Sequence, residues 1–223
     1  MLTLNQVKNK SIARLENLIP VVATATERLI EHCYARGVLI VITQGYRSAA
    51  EQDKLYAQGR TAAGSIVTNA RGGYSYHNFG VAIDFALLSP DGKQVFWDTK
   101  RDGNVNQIAD WAEVVDEAKR LGFAWGGDWT SFKDYPHFEM TFGLSTAQLR
   151  AGIRPTAAQI TAAMAIITKE ESYMMKAEDA NALIKRYLQP AWAACKQKGD
   201  TAGMQEAHRL ANELRKASGQ KEQ

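Results

Sequence analysis

Apolar residues recur at spacings of three and four between residues 14 and 36, as Leu15, Leu18, Ile19, Val22, Thr26, Leu29, Ile30 and Cys33. That period predicts an amphipathic helix over 14–36. Pro20 is expected to kink it or divide it in two, and Gly37 to end it. Residues 38–43 are a compact β-branched run and predict a buried strand. A second helix is expected over 49–58, stopped by Gly59. Residues 60–80 are rich in Gly, Ser, Asn and Thr, which predicts a long functional loop. Residues 81–88 read as a strand, Ser89-Pro90-Asp91-Gly92 as a turn and residues 94–97 as the returning strand. A third helix is expected over 105–121, ended by Gly122. The aromatic stretch 123–142 contains Gly126-Gly127 and should close on a strand holding residues 137–141.

The pattern changes near Leu144, where the chain becomes Ala-rich and aromatic residues thin out. Residues 151–176 read as a linker containing a helix. Over 177–198 a helical stripe returns, formed by Ala180, Leu183, Ile184, Tyr187, Leu188, Trp192 and Cys195, and Pro190 is expected to kink or break it. Met204, Ala207, Ala211 and Leu214 make a narrow stripe in a final helix. Residues 177–217 therefore read as a helical hairpin, too small to be stable alone, which docks or self-associates. The expected division is 1–150, 151–176, 177–217 and a frayed tail at 218–223.

Composition narrows the class. The 223 residues include 27 basic and 24 acidic side chains, four His and two Cys. A hydrophobic share of 45% and a charged share of 23% are those of a globular protein. A net charge of +3 is too small to point to nucleic acid, which is not expected as a partner. Cys33 and Cys195 cannot form a disulfide framework or a Cys-rich zinc site, and each falls on an apolar stripe as a buried thiol. Neither a signal peptide nor a membrane span fits the N-terminal residues. The expectation is a protein made in the cytoplasm, with no membrane insertion.

The chemistry gathers in two stretches. One is Ser75-Tyr76-His77-Asn78-Phe79-Gly80-Val81-Ala82-Ile83-Asp84, and the other is Asp134-Tyr135-Pro136-His137-Phe138-Glu139. Two imidazoles and a carboxylate suit a zinc ion with one position left open. Asp84 stands among apolar strand residues, where a carboxylate needs a partner. Asp134, three residues before His137, is placed to move protons at such a centre without binding the metal. Arg47 directly follows the first strand and is a candidate for stabilising an oxyanion. A second reading pairs Asp84 with Arg47 as a structural ion pair and makes His137 a satisfied core histidine. Spacing leaves both readings open. Trp125 and Trp129 read as core, and His32 and His208 as bland helical residues. Glu139 should share a strand face with His137.

The motif Ser75-x-His77-x-x-Gly80-x-Ala82-x-Asp84 resembles that of zinc-dependent peptidoglycan peptidases, a family of D-Ala-D-Ala carboxypeptidases, D-Ala-D-Ala dipeptidases and L-alanyl-D-glutamate endopeptidases. Asp134-x-Pro136-His137-Phe138-Glu139 is similar to the endopeptidase branch, since the other branches typically carry Glu in place of Asp134. The stretches Gly45-Tyr46-Arg47-Ser48, 51–60 and Trp125-Gly126-Gly127-Asp128-Trp129 are also similar to that branch, and the likeness covers roughly residues 20–142. It implies one Zn2+ per chain held by His77, Asp84 and His137, Asp134 as the catalytic carboxylate and Arg47 as the group that stabilises the carbonyl oxygen. Ser75, Gln52, Trp125, Asp128 and Glu139 become candidates for substrate contacts or for positioning. The implied fold is α+β, a small antiparallel sheet with helices packed on it, shared with the hedgehog signalling domain. The C-terminal hairpin is similar to helical tails of some phage endolysins. The expected function is a phage-type endolysin that cuts the L-Ala–D-Glu bond of bacterial peptidoglycan after holin-type release, with the hairpin binding the wall or self-associating. A D-Ala-D-Ala carboxypeptidase and a non-catalytic wall-binding module with structural zinc are the alternatives.

Overall fold

The computed structural model describes residues 1–173, 177–218 and 220. Two helices open the chain, α1 (Leu4–Leu15) and α2 (Pro20–Ala35). The single helix expected over 14–36 is therefore corrected. Pro20 stands at the start of α2, where its missing N–H costs nothing, rather than in a kink. Asn17, at a φ of 61°, turns the chain between the two helices. The start of α1 is set by a capping box in which Thr3 and Gln6 satisfy each other's backbone N–H groups.

Strand β1 (Ile40–Gln44) and helix α3 (Ala49–Ala57) follow where the pattern places them. The loop to residue 80 ends in a 3-10 turn, Tyr76–Phe79. Gly80 closes that turn at a φ of 68°, and a Cβ there would lie 2.5 Å from the Asn17 carbonyl oxygen, so only glycine fits. Strand β2 (Ala82–Leu88) turns through residues 89–94 into the two-residue β3 (Val95–Phe96). Helix α4 (Asp110–Arg120) begins five residues later than expected, because residues 102–109 are tied into a loop by their own Asp and Asn side chains. Strands β4 (Ala124–Trp125) and β5 (His137–Glu139) complete the sheet.

All pairings are antiparallel, in the order β1-β2-β5-β4 with β3 also on β2. This is the expected α+β architecture. Ile83 and Phe138 are cross-strand partners on one face, where Phe85 stacks on Phe138 with ring centroids 5.0 Å apart. Trp111 from α4 packs 4.4 Å from the Phe85 ring, and Val22, Leu29 and Ile30 from α2 join the same core. Asp84 and His137 are also direct partners, so the alternation of a strand puts them together on the opposite face.

Beyond the sheet come α5 (Thr146–Arg150) and α6 (Ala157–Tyr173), whose Ile167 is buried in the core. The expected linker helix is α6. Residues 174–176 of that linker and most of the expected frayed tail lie outside the described residues. Helix α7 (Ala177–Leu183) runs through a π turn at Ile184–Leu188 into α8 (Gln189–Lys198), and α9 (Thr201–Ala217) packs back on them as the expected hairpin. Pro190 does not break this helix: it sits in the first turn of α8, after the π turn has taken up the mismatch.

Candidate active site

Three potential ligand atoms converge on the open face of the sheet. His77 arrives from the 3-10 turn, Asp84 from β2 and His137 from β5. His77 Nε2 lies 3.2 Å from His137 Nδ1 and 3.3 Å from Asp84 Oδ1, and His137 Nδ1 lies 3.2 Å from the same Asp84 oxygen. Ligands about 2.0–2.1 Å from a tetrahedral zinc are separated by about 3.3–3.4 Å, so this triangle fits the ion. Two nitrogen donors and one carboxylate oxygen are also the donor set that zinc takes with one position open.

The backs of both imidazoles are held. His77 Nδ1 is 2.8 Å from the Gly45 carbonyl oxygen, and His137 Nε2 is 3.1 Å from Glu139 Oε2. With a metal bound, each acceptor would take the N–H of its ring and leave the lone pair of the other nitrogen to the ion beside Asp84. Both rings are buried. Burial alone would push the Asp84 carboxyl up, but His77 and His137 overcome it and hold it well below the ordinary carboxylate range. Burial opposes a charge on His137, yet hydrogen bonds to Asp84 and Glu139 prevail and push its pKa up to about 9.

The Arg47 side chain is half-buried beside these groups. Its Nη1 donates to Gln52 Oε1 at 2.8 Å, and its Nη2 is 3.8 Å from Asp84 Oδ2. Gln52 is fully buried and donates in turn to the Ala70 carbonyl, so it acts as a brace for Arg47 and does not face solvent. The ion pair of Arg47 with Asp84 and the convergence of the two histidines occur together, so the two readings left open by spacing are not exclusive.

Asp134 lines the same groove, a cavity of about 610 Å3 that also takes in Arg47, Ser75, His77, Asp84, His137 and Glu139. Burial, then the Asp84 charge, pushes its carboxyl above the ordinary value. Gly126 explains how the chain can pass so close. A Cβ at that position would lie 2.4 Å from the Asp134 carbonyl oxygen and 3.1 Å from His137 Cβ. The Gly126 carbonyl also accepts the Asp134 N–H.

Two candidates stand elsewhere. Asp128 is exposed and pairs with Lys119 at 2.7 Å. Trp125 donates from Nε1 to the Tyr135 carbonyl and covers Gly127. Neither lines the groove. Trp129, expected in the core, instead lines the groove with its ring 5.2 Å from His137. Tyr74, Trp97 and Phe132 line it too, all more than half exposed. Only their exposed aromatic character could have marked them, and exposure cannot be read from the chain. Of the residues read as bland, His32 is buried and bonded to Glu117 at 2.7 Å, whereas His208 is exposed. Cys33 is buried as expected, while Cys195 is half-buried.

The chain is similar to several known proteins. A family model described as D-alanyl-D-alanine carboxypeptidase matches residues 68–140. The peptidoglycan L-alanyl-D-glutamate endopeptidase CwlK of Bacillus subtilis is 56% identical over 124 residues, 56% of this chain and 74% of that protein. The L-alanyl-D-glutamate peptidase of Listeria phage A118 is 28% identical over 60% of this chain and 42% of its own length. The crystal structure of the Serratia marcescens L-Ala D-Glu endopeptidase ChiX is matched at 24% identity and a TM-score of 0.43, over 60% of this chain and 87% of that one. At 56% identity over 124 residues, which cover 74% of a curated relative, the chain belongs to the family of peptidoglycan peptidases that holds both the D-Ala-D-Ala carboxypeptidases and the L-alanyl-D-glutamate endopeptidases.

Proposed function

We propose that this chain is a zinc-dependent endopeptidase that hydrolyses the L-Ala–D-Glu bond of peptidoglycan stem peptides. The observation that carries the reading is the triangle of His77, Asp84 and His137 in one groove with Asp134 and Arg47. The names of the B. subtilis and phage relatives support the choice of bond.

His77, Asp84 and His137 would hold the zinc ion, which supplies Lewis acidity toward the scissile carbonyl. Arg47, braced by Gln52, presents its guanidinium to the oxygen of that carbonyl as negative charge develops there. Asp134 removes a proton from the attacking water. The water oxygen bonds to the L-Ala carbonyl carbon, the C–N bond breaks, and Asp134 returns its proton to the departing D-Glu nitrogen. Products are a C-terminal L-Ala carboxylate and a free D-Glu amine. The exposed rings of Tyr74, Trp97 and Phe132 form a wall for the stem peptide.

Digestion of purified cell wall, followed by labelling of new amino termini, tests the cleavage. Labelled D-Glu is the expected product. Released D-Ala without new D-Glu would instead establish the carboxypeptidase activity after which the matching family model is described.

The phage relative supports a role as an endolysin, acting on the wall once the membrane has been opened. Cells producing the protein should lyse when the membrane is permeabilised and stay intact otherwise. Lysis without permeabilisation would contradict this. The hairpin of α7, α8 and α9 completes the proposal as a wall-anchoring or self-association module.

A further inference from the structure

We propose that residues 102–113 form a calcium-binding loop, separate from the His77–Asp84–His137 centre. The stretch reads Asp102-Gly103-Asn104-Val105-Asn106-Gln107-Ile108-Ala109-Asp110-Trp111-Ala112-Glu113. An EF-hand loop draws oxygen ligands from positions 1, 3, 5, 7, 9 and 12, the seventh through its backbone carbonyl. Here those places hold Asp102, Asn104, Asn106, the Ile108 carbonyl, Asp110 and Glu113. The sixth place, glycine in EF-hands because the turn there is sharp, is Gln107, and its φ is 70°.

The polar side chains of the loop already bond to its own backbone. Asp102 accepts the Asn106 and Gln107 N–H groups at 3.1 and 2.9 Å, and Asn106 accepts that of Ile108 at 2.9 Å. An independent feature points to a cation. Asp110 is 5% exposed, and its Oδ1 is buried with no hydrogen-bond partner among the described residues. The other oxygen, Oδ2, accepts the Gly103 N–H across the loop at 2.9 Å. Arg101 reaches only Oδ2, at 4.0 Å. A buried carboxylate oxygen without a donor is costly, and a cation at the loop centre would satisfy it.

Glu113 is also buried, and its Oε2 takes a hydrogen bond from Asn104 Nδ2 at 2.9 Å. The same Nδ2 also donates to the Arg36 carbonyl at 3.0 Å, while Asn104 Oδ1 accepts the Asn106 N–H at 3.3 Å within the loop. Among the described residues only His77, Asp84 and His137 bring three potential ligand atoms within 4.8 Å, so calcium is expected to draw the loop donors closer together. An all-oxygen set of this number suits calcium better than magnesium or zinc.

Occupancy has a route to the site. The loop leads directly into α4, whose Trp111 packs on Phe85, the neighbour of Asp84. Binding should stiffen α4 and the strand behind the catalytic triangle.

The position of Trp111 supplies the probe, because a terbium ion in the loop would lie close enough to be excited through that indole. In full-length protein loaded with one equivalent of zinc, Tb3+ should give tryptophan-sensitised emission that Ca2+ displaces and equimolar Mg2+ does not. Calcium at a hundredfold excess over its Kd should raise Tm by about 5–10 °C. Asp102 is exposed and holds two loop N–H groups, so Asp102→Asn, which keeps an acceptor, should fold normally and weaken terbium binding at least tenfold, and Glu113→Gln should do likewise. Absence of sensitised emission together with an unmoved Tm would overturn the proposal. So would emission that survives both variants, or that is lost on His77→Ala, since the ion would then sit elsewhere.

Discussion

At the scale of single residues, the proposed site depends on groups that touch the His77–Asp84–His137 triangle from behind. Glu139 takes the N–H of His137 and thereby turns its other nitrogen toward Asp84. Replacing Glu139 with Ala should lower metal affinity or activity by about 10–100-fold, the usual range for such partners. Glu139→Gln, which keeps an acceptor, should lose less, and metal content together with kcat distinguishes the two. Asp134→Asn should lower kcat by about 10²–10⁴-fold with zinc content unchanged. Asp134 works only as the carboxylate, and burial and Asp84 raise its pKa. Activity should therefore rise with pH through an acid limb above the ordinary carboxylate value of 3.8, and a pH profile of kcat/KM would show it.

At the scale of elements, the sheet would carry the site poorly without α2 and α4 clamped to its other face. The clamp includes one buried polar contact, in which His32 of α2 meets Glu117 of α4 and Arg36 adds a second bond at 3.0 Å. Burial raises the Glu117 carboxyl, but the His32 hydrogen bond and Arg36 outweigh it and leave the pKa below 4.5. A carboxyl depressed by folding contributes stability that is complete above its unfolded value and lost as pH falls through the folded one. Glu117→Gln should cost about 1–3 kcal/mol near neutral pH, and the gap from the parent should narrow below pH 4.5. Denaturant unfolding at a series of pH values measures this. The helix starts show where local pattern misleads. Pro20 reads as an interruption in the 14–36 period because that period runs on through the turn at Asn17. The apolar pattern predicts too early a start for α4 because Val105 and Ile108 continue it, although both are exposed.

At the scale of the whole molecule, the hairpin packs chiefly on itself among the described residues and leaves Tyr187 and Trp192 exposed. If it anchors the enzyme to the wall, removing residues 177–223 should weaken sedimentation with purified wall while cleavage of a soluble stem peptide persists. Equal sedimentation of both forms would remove the anchoring role. The chain alone marks His77, Asp84, His137, Asp134 and Arg47 as candidates through their resemblance to a family motif, while their spacing leaves a structural ion pair and a core histidine equally open. It also marks the main strands, whose apolar runs are short and bounded by turn residues. Other features depended on tertiary contact. Asp84 and His137, 53 residues apart in the chain, become neighbours only through the β2–β5 register. Gln52 faces Arg47 rather than substrate, and Trp129 lies in the groove rather than the core, because burial depends on what packs from elsewhere in the fold. The orphaned oxygen of Asp110 likewise appears only once α4 has closed over the loop, since desolvation is a property of the folded surroundings and not of a residue's own neighbours in the chain.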